Sequence, residues 1–142
     1  MQLKWKLILT MTVMVLAAWF SLVRLRIGGQ TYLMRASKAG HPVGIVHSLL
    51  LLGADPNARA IQPAYARGQI GGTTPLMFAV DTGNLDAVRV LLDSGADLNL
   101  VDNHGYSALC LAVYSIGSAE AATVLIRRGA RFPRMGCNRA PA

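Results

Sequence analysis

Two cysteines, three histidines and seven acidic residues in 142 positions leave little material for reactive chemistry. The cysteines, Cys110 and Cys137, form no C-x-x-C pair and have no histidines at zinc spacing, which argues against a structural metal. Their positions leave one disulfide open in an oxidising compartment but favour two unrelated thiols. Charged residues make up only 15% and hydrophobic ones 53%, too apolar a balance for a disordered chain. Acids are missing from both ends: residues 1–27 sum to +4, residues 28–126 to −2 and residues 127–142 to +5, together the net +7. A mildly acidic middle without a recognition motif speaks against nucleic acid as a partner, and the basic ends suit an anionic surface or an acidic protein.

One uncharged run stands apart. From Leu7 to Val23 the sequence LILTMTVMVLAAWFSLV carries no charge for seventeen positions. As a helix it would extend about 25 Å, at the short end of what crosses a bilayer core. Lys4 and Lys6 precede it, Arg24 and Arg26 follow it, and Trp5 and Trp19 are of the interfacial type. Residues 1–27 are therefore expected to form a signal anchor, a single transmembrane helix. A cleaved signal ending near Val15-Leu16-Ala17 is the alternative, disfavoured because apolar sequence continues beyond it. The basic start followed by an apolar run resembles bacterial inner-membrane proteins. The expected location is that membrane, with the remainder periplasmic and a cytoplasmic orientation left open by the balanced flanking charge.

Beyond the run the chain repeats itself. Thr74-Pro75-Leu76-Met77 combines an N-cap hydroxyl with a proline at the first helical position, and Gly83 marks the stop. The same order begins at Ser107-Ala108-Leu109-Cys110, thirty-three residues later, and at Thr31-Tyr32-Leu33-Met34 upstream. After each start come small residues and a glycine, then VGIVHSLLLLGADPN, LDAVRVLLDSGADLN or AEAATVLIRRGAR. Such helices are too short to stand alone, and each pair can bury its apolar stripe only by stacking on a neighbour. Asp102-Asn103-His104-Gly105 reads as the turn between repeats, with Gly105 where a positive φ is needed.

At these residues the chain resembles the ankyrin repeat, with its T-P-L-H-x-A start, glycine turn and L-L-x-x-G-A-D-x-N ending; here Met77 replaces the histidine. The resemblance implies an all-α fold: a short ankyrin-repeat solenoid of about three helix-turn-helix repeats at 30–59, 73–105 and 106–132, preceded by the one transmembrane helix. An inserted finger occupies 60–72 and a basic tail 133–142. Arg131 stands where Asp97 does one repeat earlier, so the array stops there, its edge covered by the tail or by the apolar segment.

Sites for chemistry are outweighed by structural readings. His41, His47 and His104 have no shared ligand spacing. Asp93, Asp97, Asn99 and Asp102 lack the glycine and closing glutamate of a calcium loop, and the stretch from Gly68 to Thr74 lacks the lysine of a phosphate loop. Ser107 and Cys110 have no base at a recognisable offset, so a hydrolase with a cryptic site is the weakest reading. No cofactor, metal or small-molecule substrate is expected. Ankyrin proteins bind through finger tips and exposed positions of their first helices. The resemblance therefore implies a protein partner met by Tyr65, Arg67, Ile70, Thr73, Asp81, Thr82, Asn103, His104, Tyr106, Tyr114 and Ser115. The expected role is non-enzymatic: a membrane-tethered scaffold, inhibitor or immunity protein, or else an accessory or protective factor for a periplasmic or membrane enzyme.

Overall fold

The computed structural model describes residues 8, 10–16, 18, 26, 27, 30–38, 41–61, 71–114, 119–133 and 137. Among them no helix is long and apolar enough to cross a membrane. The helical residues described within the N-terminal stretch, α1, are 8, 10–16 and 18, and no span of bilayer length is found among them. This overturns the expected transmembrane anchor, and with it the inner-membrane location, the periplasmic side and the membrane as a partner. The other residues of that stretch lie outside the described ones.

Three helix pairs follow: α2 (Tyr32–Ala36) with α3 (Val43–Leu51), α4 (Pro75–Asp81) with α5 (Leu85–Asp93), and α6 (Ala108–Tyr114) with α7 (Ala119–Arg127). The first helices start as their sequences require. Thr31 and Thr74 accept the N–H groups of Met34 and Met77 at 3.3 Å, and Ser107 accepts that of Cys110 at 3.3 Å. A capping box normally returns a carboxylate to the cap. Here the thioether sulfurs of Met34 and Met77 accept the N–H groups of Thr31 and Thr74 at 3.4 and 3.5 Å, while the Ser107 hydroxyl donates to Cys110 Sγ at 3.5 Å. Replacing Thr74 by Ala strips this cap from the central repeat. The expected loss is about 1 kcal/mol of stability, read as a lower thermal midpoint with an unchanged helical signal.

The second helices also end alike. The N–H groups of Ala54, Ala96 and Ala130 reach back to the carbonyls of Leu49, Leu91 and Leu125 at 2.9, 3.0 and 2.9 Å. That closure needs a left-handed residue just before each alanine, supplied at the central repeat by Gly95 with φ +85°. Gly83 and Gly105 take the positive φ expected of them, 70° and 82°.

Stacking joins α2 to α4 to α6 in one layer and α3 to α5 to α7 in another. Between the layers lies one continuous core that includes Leu33, Val46, Leu76, Met77, Val88, Leu91, Leu109 and Leu125. Polar cross-links hold the register. Asn84 caps α5 by accepting from Ala87 N–H and donates to the carbonyls of Ser37 and Lys38 in the preceding repeat at 3.4 and 3.3 Å. Asn57 donates to Gly95 O and accepts Asp97 N–H at 2.7 Å, and Asn99 accepts Arg131 N–H at 3.3 Å one repeat on. Arg131 and Pro133 stand where Asp97 and Asn99 do one repeat earlier, and neither side chain can make the same pair of bonds. The exposed Asp93–Arg128 pair at 2.7 Å adds at most about 1 kcal/mol between α5 and α7.

Cys110 and Cys137 are bonded, their Cα atoms 5.4 Å apart across a separation of 27 residues. The preference for unrelated thiols is thereby corrected: position 137 returns to the first turn of α6, which linear spacing does not reveal.

Candidate protein-binding surface

Short paired segments precede the first helices. β1 (Arg26–Ile27) pairs antiparallel with β2 (Gln30–Thr31), Arg26 opposite Thr31 and Ile27 opposite Gln30. The second finger closes at its base, where Ala60 N–H donates to Thr73 O at 2.9 Å and Gly72 N–H to Ala60 O at 2.8 Å. The third is bridged at Val101 and Ser107, and Asp102 N–H donates to Tyr106 O at 2.9 Å.

Fingers two and three are joined edge to edge. Asn103 N–H donates to Gly71 O at 2.9 Å, and the Arg59 guanidinium donates to Val101 O. Within the third finger the buried Asp102 carboxylate accepts both His104 N–H at 2.8 Å and Tyr106 N–H at 3.0 Å. A charged acceptor shared by two amides fixes the turn firmly, so Asn103 and His104 stand exposed on a rigid tip rather than on a loose loop.

The tip leads to an aromatic pair. Tyr106, half-buried at the foot of the finger, meets Tyr114 on α6 edge to face, with ring centroids 6.3 Å apart and planes at 83°. Tyr114 keeps 63% of its surface exposed. The repeat then extends this patch along the first helices. Arg35, Phe78 and Leu111 occupy one equivalent position and Lys38, Asp81 and Tyr114 the next turn. Lys38 Nζ lies 5.0 Å from the centre of the Phe78 ring, a cation on an aromatic face that ties the first repeat to the second.

The expected residues divide into four groups. Asn103, His104, Tyr106 and Tyr114 come together at the third finger and α6. Asp81 is exposed at the end of α4, and Thr82 is half-buried with its hydroxyl donating to Phe78 O at 2.8 Å. Thr73 is 9% exposed at the base of its finger and offers a partner almost no side chain. Tyr65, Arg67, Ile70 and Ser115 lie outside the described residues. Sequence reasoning overlooked Arg35, Lys38, Phe78 and Leu111. Aligning all three helix starts, rather than reading each helix alone, would have found them.

Some of the candidates for chemistry have structural roles. Asp55 and Asp97 each accept the N–H two residues on, at 2.8 Å, so these carboxylates close turns. Ser107 caps α6 and Cys110 is in the bridge, so neither is a poised nucleophile.

Comparison with known proteins agrees with this architecture. The family Ankyrin repeats (3 copies) matches residues 33–135, well over half of the chain. The chain is 43% identical over 60 residues to ankyrin repeat and SAM domain-containing protein 6 of Rattus norvegicus, covering 42% of this chain and 7% of that protein. It is 36% identical over 75 residues to transient receptor potential cation channel subfamily V member 5 of Mus musculus, covering 50% and 10%. Glycerophosphocholine phosphodiesterase gde1 of Schizosaccharomyces pombe is 40% identical over 68 residues, covering 48% and 5%. The chain thus spans a tenth or less of each of these relatives.

Proposed function

The chain belongs to the ankyrin-repeat family, whose repeats serve as protein–protein interaction modules, and we propose that it captures its partner on the third finger and the first-helix face. The observation that carries this reading is the Tyr106–Tyr114 pair. A large aromatic side chain left mostly exposed, yet braced by a second ring and a carboxylate-fixed turn, has already lost much of the freedom that binding would otherwise take away. Tyrosine is also among the residue types that dominate binding energy at interfaces. Leu111 and Phe78 continue the apolar strip towards Arg35 and Lys38, where an acidic group on the partner would find charge. The role is that of a scaffold or inhibitor, working by occupancy rather than by turnover.

The test is a binding measurement on the purified chain and its identified partner. Changing Tyr106 and Tyr114 together to Ala should raise Kd at least about tenfold while the helical signal and thermal unfolding persist. Changing Asp86 and Arg89 to Ala on the outer face of α5 should leave Kd unchanged. Equal binding by the tyrosine variant would remove this surface from consideration.

A further inference from the structure

The two junctions between repeats differ on the second-helix side. Aligning the glycine turns at Gly53, Gly95 and Gly129 makes Leu51 on α3 the counterpart of Asp93 on α5, and Ser94 the counterpart of Arg128. Between repeats two and three, Asp93 and Arg128 form an ion pair across the gap at 2.7 Å. Between repeats one and two the same positions hold Leu51 and Ser94, which cannot pair, and a hollow of about 210 Å³ stands open there. Its lining is His47, Leu50, Leu51, Ala54, Pro56 and Ser94. We propose that this hollow is a docking site for one neutral phenolic ring, a tyrosine side chain presented by a second protein.

Size, polarity and surroundings each narrow the occupant. A cavity of about 150 Å³ accepts benzene, whereas drug-sized ligands fill roughly 300–1,000 Å³, so this hollow takes a single ring. Leu50, Leu51, Ala54 and Pro56 give that ring apolar walls. None of the six lining residues carries a carboxylate, ammonium or guanidinium, so an ionised side chain would shed its water without finding a counter-charge. The Ser94 hydroxyl and the His47 imidazole can each form a hydrogen bond with a phenol. Apolar surface also runs past the hollow: Leu51 and Leu52 are 75% and 41% exposed where the second repeat carries Asp93 and Ser94. A free phenol would leave those leucines in water, whereas the polypeptide around a tyrosine would cover them.

The hollow belongs to the layer of α3 and α5, whereas the Tyr106–Tyr114 pair belongs to the third finger and α6. Both can therefore be occupied at once, and the chain would then join two proteins, which is scaffolding rather than inhibition. That consequence rests on the proposed binding surface; the docking site itself does not.

The full chain, isotope-labelled, would be titrated with p-cresol, which is the tyrosine side chain cut at Cβ, and with a capped glycyl-tyrosyl-glycine peptide, its amide signals being followed by NMR. Both probes should give saturable shifts at His47, Leu50 and Ser94 and leave the matching signals of Arg89, Leu92 and Arg128 in place. p-Cresol should bind about fivefold more tightly than toluene, the worth of one ordinary hydrogen bond. Leu51→Asp combined with Ser94→Arg copies the ion pair of the next junction at two exposed positions, and should abolish the shifts while the thermal midpoint is kept. The absence of saturable shifts, equal shifts at both junctions, or undiminished binding by the double variant would overturn the site. Equal binding of p-cresol and toluene would overturn the phenol as occupant. Binding of p-cresol without the peptide would overturn the protein side chain as its source, leaving a small-molecule hollow instead.

Discussion

Replacing Leu91 by alanine is expected to destabilise the array by about 2–5 kcal/mol, a large share of the roughly 5–15 kcal/mol that holds an ordinary domain together. Leu91 is wholly buried on α5, in the helix pair that has neighbours on both sides. Its removal leaves a cavity at the point where two interfaces meet, and in a stacked array both depend on it. Loss of protection should therefore spread through α2, α4 and α6 alike, with a lower thermal midpoint. Leu125→Ala makes a comparable cavity on α7, at one end, and should loosen the last repeat while sparing the first. Amide exchange resolved by segment separates the two patterns; identical behaviour would mean that the repeats do not stack as independent units.

Gly72→Ala should cost about 1–3 kcal/mol and disturb the fingers selectively. Gly72 has φ +80°, and a Cβ there would lie 2.6 Å from Asn103 Oδ1, 3.1 Å from Asn103 N and 3.2 Å from the Arg59 guanidinium. Gly95, with φ +85° and open space around it, is the matched control, because alanine there meets only the backbone penalty. The difference between the two variants isolates the contact between the second and third fingers. It should appear as faster exchange of the Asn103 amide, whose bond to Gly71 O the added methyl group disturbs. Equal effects of the two substitutions would show that the fingers do not touch in solution.

The repeat was legible because its determinants are local. A hydroxyl followed by proline starts α4 at Thr74, and Asn84 caps α5 by bonding Ala87 N–H; such contacts span three residues and leave a mark in the sequence. Amphipathic pattern was equally informative for α5, where Val88 and Leu91 are buried while Asp86 and Arg89 are exposed. It failed for α3, whose VGIVHSLLL is apolar on nearly every side. Val46 is fully buried there while Ile45 and Leu51 are 44% and 75% exposed. The uncharged run near the N-terminus misled for a related reason. Hydropathy measures what a segment could dissolve in, not whether it forms one helix long enough to span a bilayer.

Long-range pairings were the least legible part. Arg59 reaching Val101, the tyrosine pair and the Cys110–Cys137 bridge join positions with no fixed offset in the repeat. The candidate surface falls between these extremes. Tyr106 and Tyr114 could be named from the repeat pattern alone, but their mutual bracing, and the strip through Leu111 and Phe78 to Lys38, depend on how the helices stack.

Amide hydrogen exchange of the full chain, with and without its bound partner, is the most direct test of the binding surface. Protection on binding should concentrate in the third finger from Asp102 to Tyr106 and along the first helices α2, α4 and α6, leaving α3, α5 and α7 unchanged. Protection confined to α3, α5 and α7 would place the partner on the opposite layer and contradict the account.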